Sequence, residues 1–241
     1  MLSPTLRPMH SSSHLLRAAV QLIPVPQGTA THQPIPHFEL VQALIETLSF
    51  RRIGIIRDEY AVSGDGMKMF GILDLESGME GCHFSIGLRN ANDKSMRLAL
   101  TVGYRVLVCD NMAFSGDFSP VLAKHSKHFS LVDSLSIGVD RMQRNFEPMR
   151  MQVERWRDNQ ISDAVAKLFI YQAFIEGELE APKHLAASVH DQYFNPRFEE
   201  FRPRNMWSLT NAFTSAFKGL DAIPQFRATA KLGQFLQRRN M

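Results

Sequence analysis

The sequence predicts an α+β protein, with an N-terminal helix and an antiparallel sheet of three to four strands followed by a mostly helical C-terminal half. Three features of the chain indicate this class. Apolar residues recur at helical spacing from residue 37, strand-like segments joined by short turns come next, and long helical periodicities fill the rest. We therefore expect one domain over residues 37–241, with a helix and sheet half at 37–118 and a helical half at 119–241.

The first half begins with a predicted helix of about three turns. Its apolar face is formed by Phe38, Val41, Leu44, Ile45 and Leu48. Three strand-like segments follow at residues 52–63, 68–75 and 82–88, and the glycine-rich turns between them are short enough to force antiparallel pairing. The pattern then indicates a helix at 94–102 and a short apolar strand at 104–109.

A heptad-like stripe of apolar residues dominates the second half, from Leu131 to Trp156, with Pro148 as an expected kink or break. We interpret the stripe as a surface that packs on the first half or on a helix at 161–178. The alternative is a self-association seam between copies of the chain. Two more helices are expected, at 205–218 and 223–239.

Residues 1–36 are expected to form a flexible arm outside the core. They contain no aspartate or glutamate, but six prolines and a run of three serines at 11–13. Because proline lacks a backbone N–H group, such a segment has few means of forming regular structure.

Composition excludes several classes of protein. Hydrophobic residues make up 44% of the chain and charged residues 21%, as in ordinary globular proteins and unlike disordered or collagen-like chains. No apolar stretch reaches the roughly 18 residues that a membrane span needs. Cys82 and Cys109 are too few for a disulfide-stabilised secreted protein, so we expect free thiols in a reducing compartment.

Motifs for common enzyme chemistry are missing from the sequence, so we predict no catalytic residue, no cofactor and no metal ligand. The chain has no nucleophile elbow, phosphate-binding loop, dinucleotide-binding glycine motif or zinc-protease motif. His125 and His128 are one helical turn apart, and Asp74 and Glu76 share a strand face. Neither pair has the further ligands of a metal site, so we interpret both as solvated side chains.

Basic residues are clustered more strongly than the net charge of +3 suggests. They form groups at residues 89–105, 124–128 and 202–239, each with few acidic neighbours. Such groups can neutralise phosphates, and aromatic residues near them can stack on bases. The residues expected to contact nucleic acid are Arg89, Lys94, Arg97, Tyr104, Arg105, Phe114, Lys124 and His125.

Two segments of the chain carry a family resemblance. Residues 85–95 read Ser-Ile-Gly-Leu-Arg-Asn-Ala-Asn-Asp-Lys-Ser, and residues 103–111 read Gly-Tyr-Arg-Val-Leu-Val-Cys-Asp-Asn, with a Lys-His pair at 124–125. With the segment at 205–218, they resemble the phage- and plasmid-related family known as domain of unknown function 932. The resemblance implies a protein of bacteriophages, plasmids and other mobile genetic elements that acts in the cytoplasm of a bacterial host.

These segments allow a structural and a functional interpretation. In the structural one, polar side chains clamp two loops to the sheet by hydrogen bonds to nearby backbone. The residues assigned to this clamp are Asn90, Asp93, Ser95, Cys109, Asp110 and Asn111. In the functional one, the basic side chains of both segments line one groove.

Three hypotheses for function follow. The order of helix, three strands and helix resembles, in topology only, the core of single-strand annealing proteins of phage recombination. Our first hypothesis is therefore non-enzymatic binding of DNA, in particular single-stranded DNA in recombination or replication, by a protein that is also a candidate homo-oligomer. The second is an anti-defence or other interaction factor that binds a host protein. The third is a metal-dependent enzyme of nucleic acid that uses Asp74, Glu76, His125 or His128.

Overall fold

Alternating and helical apolar patterns determine the order of elements along the chain. The structure, a computed structural model, describes residues 13–114, 121–126 and 129–238. The elements of the first half are β1 (Ser13–Leu15), α1 (Arg17–Val20), α2 (His37–Phe50), β2 (Ile55–Val62), β3 (Lys68–Met79), β4 (Cys82–Ala91), β5 (Leu98–Val106), β6 (Met112–Phe114) and β7 (Val121–Ala123).

The second half is helical, as predicted. Its helices are α3 (Leu131–Asp158), α4 (Asp163–Phe174), α5 (Leu185–Phe194), a 3-10 turn (Glu199–Phe201), α6 (Met206–Phe217) and α7 (Ala222–Gln237). Ser130, Ser162 and Asn205 cap α3, α4 and α6 by accepting a backbone N–H of the first turn, which explains where these helices begin. No helix in the described ranges combines the length and apolar character that a membrane span requires.

Seven antiparallel strands form one sheet in the described part of the chain, in the order β1-β2-β3-β4-β5-β6, and β7 also pairs with β5. The predicted α+β class is confirmed. The sheet has more than the predicted three to four strands, because β1, β6 and β7 are only three residues long each and show no strand pattern in the sequence. Register places Phe70 opposite Arg89, Arg89 opposite Ala99, and Ala99 opposite Leu122. This row of side chains crosses the sheet beside the loop that joins β4 to β5.

The apolar stripe of α3 is buried inside the chain. Val139, Met142 and Val153 belong to the main core, and Phe146 stacks on Phe84 of β4 with ring centroids 4.2 Å apart. Packing on the first half is therefore confirmed, and a self-association seam along this stripe is wrong. Pro148 lies within α3 and does not end it.

The segment predicted as a helix at 94–102 is a strand from residue 98. All nine residues of β5 are buried, so both faces of the sheet are covered at this strand. A strand buried on both faces shows a continuous apolar run, which resembles a buried helix in the sequence. The predicted strand at 104–109 also ends early, since Leu107 and Val108 lie in an exposed turn.

The expectation of a flexible arm is wrong for residues 13–36. β1 adds to the edge of the sheet against β2, and Val20 and Ile35 are buried in the core. Residues 21–36, which we call the strap, then cross toward the loop between β4 and β5. The earlier part of the predicted arm, residues 1–12, lies outside the described residues.

Candidate nucleic-acid interface

The strap is fixed to the sheet by two asparagines at the end of β4. The Asn90 side chain donates from Nδ2 to the Ile35 carbonyl at 2.9 Å, and Asn92 Oδ1 accepts from the Ile35 N–H at 3.0 Å. Asn90 Nδ2 also lies 2.8 Å from His37 Nδ1, while His37 Nε2 lies 2.9 Å from the Gly66 carbonyl oxygen. This pattern fits a neutral His37 with the proton on Nε2, and burial lowers the pKa of His37.

The loop between β4 and β5 is held by Asp93. Its Oδ1 accepts from the Ser95 N–H at 3.0 Å and from the Ser95 hydroxyl at 2.6 Å, while Lys68 pairs with Oδ2 at 3.2 Å. These contacts support Lys94 in a left-handed conformation, with φ of 65°. The loop therefore presents Lys94 and Arg97 as exposed side chains on a fixed backbone.

Two adjoining clefts flank this loop. The strap cleft, about 490 Å³, is lined by Lys94, Met96, Arg97, Lys124, His32 and His125, among others. The sheet cleft, about 380 Å³, is lined by Phe70, Arg89, Met96, Arg97, Leu122 and Arg227, with Ser95. Because Ser95, Met96 and Arg97 line both, a single extended ligand is able to contact the two clefts at once.

The clefts carry cations without matching carboxylates. Within the described residues, no ion pair joins an acidic side chain to any of the five basic side chains Arg89, Lys94, Arg97, Lys124 and Arg227. Burial and the neighbouring charge of Arg227 lower the pKa of Arg89, so two like charges lie side by side there, while Arg227 also interacts electrostatically with Glu180, which forms its ion pair with Lys231. The result is a positive surface at one end of the sheet that suits an anionic ligand.

His32 and His125 form the inner side of the strap cleft. Their rings are parallel within 5°, with centroids 5.5 Å apart. His32 places its ring nitrogens 3.1 Å from the carbonyl oxygens of His125 and Asn92. The His125 side chain is 5% exposed, and neither of its ring nitrogens has a hydrogen-bond partner among the described residues. Burial, with the nearby His32 and His37, lowers the pKa of His125 to about 4 and leaves the ring neutral at pH 7.

Three residues predicted to contact nucleic acid are buried instead. The Arg105 guanidinium pairs with Asp74 and Glu59 at 2.7 Å each, with its side chain only 3% exposed. Tyr104 packs against Trp207 with ring centroids 5.7 Å apart, and Phe114 is in a small apolar cluster on the other face of the sheet. The assignment of Arg105, Tyr104 and Phe114 to phosphate or base contacts is therefore wrong, because protein groups already surround these side chains.

The structure divides the predicted clamp residues between the two ends of β5. Asn90, Asp93 and Ser95 organise the strap and the cleft loop, as described above. At the far end, Asn111 Nδ2 donates to the Asn211 carbonyl oxygen at 3.1 Å, and the Lys218 ammonium donates to the carbonyl oxygen of Cys109. Asp110 pairs there with Arg57 at 3.4 Å. The contacts of Asn111 and Cys109 attach the loop after β5 to α6 and its C-terminal end, and the contact of Asp110 attaches it to β2.

Both cysteines are free thiols in the structure. Burial raises the pKa of Cys82 to about 12 and that of Cys109 to about 11, so both thiols are protonated at pH 7.

Sequence reasoning found part of the cleft surface and missed the rest. Arg89, Lys94, Arg97, Lys124 and His125 come together at the two clefts as expected for one groove. His32 was not proposed, because it lies in the segment expected to be flexible. Arg227 belongs to the basic group noted at 202–239, but only the packing of α7 places it beside Arg89.

Of the residues considered for metal chemistry, His125 lines the strap cleft, whereas Asp74 and Glu76 lie on β3. Asp74 and His125 are buried, so the interpretation of these two as solvated side chains is wrong. Asp74 pairs with Arg105 and accepts the Ser85 hydroxyl at 2.6 Å, whereas Glu76 is exposed. His128 lies outside the described residues. A search of the described ranges finds no group of three His, Cys, Asp or Glu placed to hold a metal ion.

Comparison with known proteins finds no matching family model, no matching curated protein and no matching solved structure. The resemblance to domain of unknown function 932 therefore stays a prediction.

Proposed function

We propose that this protein binds DNA without catalysis, through the strap cleft and the sheet cleft, and that it prefers single strands. The observation that carries the proposal is the set of five basic side chains at the clefts, none of which forms an ion pair with a carboxylate within the described residues. Phosphate contacts from lysine and arginine supply most of the affinity of non-specific DNA binding.

The arrangement suits a sugar-phosphate backbone better than a compact anion. Lys94 and Lys124 line the strap cleft, Arg89 and Arg227 line the sheet cleft, and Arg97 lines both. A strand that follows both clefts is thus able to meet up to five cations in succession. Because each neutralised phosphate of a single strand contributes about −0.7 to the slope of log K against log salt, we expect a slope of about −3.5 when all five cations are engaged.

Fluorescence anisotropy with a labelled single strand and the matching duplex, at about 50 and 200 mM salt, tests the proposal. The double variant Arg97→Ala, Lys124→Ala should bind more weakly and reduce the steepness of the slope by about 1.4. A matched control, Arg141→Ala with Arg144→Ala, removes the same charge from an exposed part of α3 that lines neither cleft. Equal losses in both variants would assign binding to overall charge and would contradict a site at the clefts.

The proposed setting is a mobile genetic element, with the protein acting in the cytoplasm of its bacterial host. The resemblance of residues 85–95 and 103–111 to the phage- and plasmid-related family supports this setting, and a role in strand annealing, recombination or replication is consistent with it. Production of the protein during phage infection or plasmid transfer, followed by crosslinking to DNA in the cell, tests the setting directly.

Binding of a host protein is the second candidate function, and an exposed apolar face on α4 favours it. Leu168 is 50% exposed, Tyr171 52% and Ile175 45%, on a helix whose opposite side is buried in the core. Large exposed apolar side chains in a cluster are typical of interaction surfaces. Loss of a captured host protein in a Leu168→Lys variant that still binds DNA would support this function.

A further inference from the structure

We propose that the strap cleft binds one unstacked base of a DNA strand while the basic groups beside it hold the adjacent phosphates. This inference rests on the proposed function and specifies the part of DNA that the cleft recognises. It distinguishes the two clefts, which have different linings although they share the ridge formed by Met96 and Arg97.

The strap cleft has the size and the surfaces of a base pocket. Its volume of about 490 Å³ lies within the range of small-ligand sites and leaves room for a base and its sugar. The His32 and His125 rings and the Met96 thioether provide flat or polarisable surfaces, on which a base packs without regard to sequence. The sheet cleft offers three guanidinium groups instead, a lining that suits phosphate.

His125 gives the strap cleft an unused hydrogen-bonding group. A buried imidazole without partners is unfavourable, because its nitrogens have lost water and gained nothing in return. The edge of a base presents both donors and acceptors, so it is able to pair with either ring nitrogen once the His125 side chain turns that nitrogen toward the cleft. Phosphate, which only accepts, fits the neutral ring less well.

Base recognition in a cleft implies a preference for single strands. A base in a duplex is paired and stacked, and its extrusion costs a few kcal/mol. A single strand avoids most of this cost. Lys94, Arg97 and Lys124 would then bind the phosphates of a flexible strand more tightly than those of a rigid duplex.

The test compares a short oligothymidine with an abasic strand of the same length and the same number of phosphates. We expect the intact strand to bind about tenfold more tightly at equal salt, with the same salt slope for both strands. His125→Ala should bring the two affinities together without changing the slope, whereas His184→Ala, an exposed histidine of the second half, should leave the tenfold difference intact. Met96→Ala, at a half-buried position of the ridge, provides a second variant should His125→Ala not fold.

Each contrary result has a distinct meaning. Equal binding of intact and abasic strands by the unmodified protein would overturn the base pocket and leave phosphate-driven DNA binding in place. No binding of either strand would overturn the proposed function together with this inference. Competition by free thymidine monophosphate as effective as that of the strand would assign the cleft to a free nucleotide and overturn its assignment to DNA.

Discussion

Replacing Arg105 by alanine should remove much of the stability of the protein and leave the proposed salt-dependent DNA binding unchanged. The Arg105 guanidinium lies 2.7 Å from carboxylate oxygens of both Asp74 and Glu59. Asp74 has a side chain only 2% exposed and would keep only the hydrogen bond from the Ser85 hydroxyl among the contacts described here. The variant therefore leaves a buried charge without its counter-ion.

Removal of one partner from a buried ion pair costs about 3–5 kcal/mol, a large fraction of the 5–15 kcal/mol that is typical of a folded domain. For a chain of this length, the loss corresponds to a decrease in Tm of about 6–20 °C. Urea denaturation followed by circular dichroism measures the free energy of unfolding. Arg97→Ala is the matched control, because Arg97 is exposed and should change stability by less than about 0.5 kcal/mol.

A double variant separates the charge from the loss of packing. Arg105→Met with Asp74→Asn removes both charges and should be more stable than Arg105→Ala, since no isolated buried carboxylate remains at Asp74. Fluorescence anisotropy completes the comparison. Arg97→Ala should reduce the steepness of the salt slope by about 0.7, the contribution of one phosphate contact of a single strand, and Arg105→Ala should leave the slope unchanged. An Arg105→Ala protein with unchanged stability and a shallower salt slope would refute this assignment of roles.

Acidification should destabilise the protein through His125, whose pKa burial lowers to about 4 while the unfolded chain binds the proton near the ordinary value of 6.5. Stability should therefore fall by about 2 kcal/mol as the pH falls from 7 through 4, and the loss should level off only below about pH 3, where the folded protein also binds the proton. Urea denaturation at each pH should show a smaller loss for His125→Gln, and an unchanged pH dependence would contradict a neutral buried ring. Asn111→Ala should lose about 1–3 kcal/mol because it removes two hydrogen bonds to Asn211, whereas Asn195→Ala, an exposed position, should lose much less in the same assay. Gly103→Ala should destabilise the protein by about 1–3 kcal/mol or prevent folding, because a Cβ atom there meets the Ala113 carbonyl oxygen. Gly233→Ala has open space in α7 and should stabilise the protein by about 0.5–1 kcal/mol. Equal melting temperatures of the two variants would refute the close contact between β5 and β6 at Gly103.

The sequence predicts the helices and the central strands because their signals are local. The apolar face of α2 and the stripe of α3 each repeat over several turns, and the strand-like segments of β2 to β4 have glycine turns between them. The helix predicted at 94–102 fails for a long-range reason. Neighbours on both sides bury β5, so its sequence lacks the alternation that marks a half-exposed strand.

The candidate site is predictable only in part because its residues meet through tertiary contacts. Arg97 and Arg105 look equivalent in the sequence, yet Arg105 meets Glu59 and Asp74 from two other strands, whereas Arg97 stays exposed on the loop. The order of the strap depends likewise on Asn90 and Asn92, more than fifty residues away along the chain. The local composition of the predicted arm, with its prolines and serines, does not predict these contacts.

The distribution of carboxylates distinguishes the ion-paired cations of this fold from the cations proposed to bind DNA. At one end of β5, Arg105 lies among Glu59, Asp74 and Asp110, so its charge is neutralised before any ligand arrives. At the other end, burial and the charge of Arg227 lower the pKa of Arg89. Keeping like charges together costs stability in the free protein and is offset once an anion binds. That asymmetry supports the assignment of the proposed DNA-binding surface to the end of the sheet that carries the strap, and it explains why the clustered basic segments of the sequence contribute unequally to that surface.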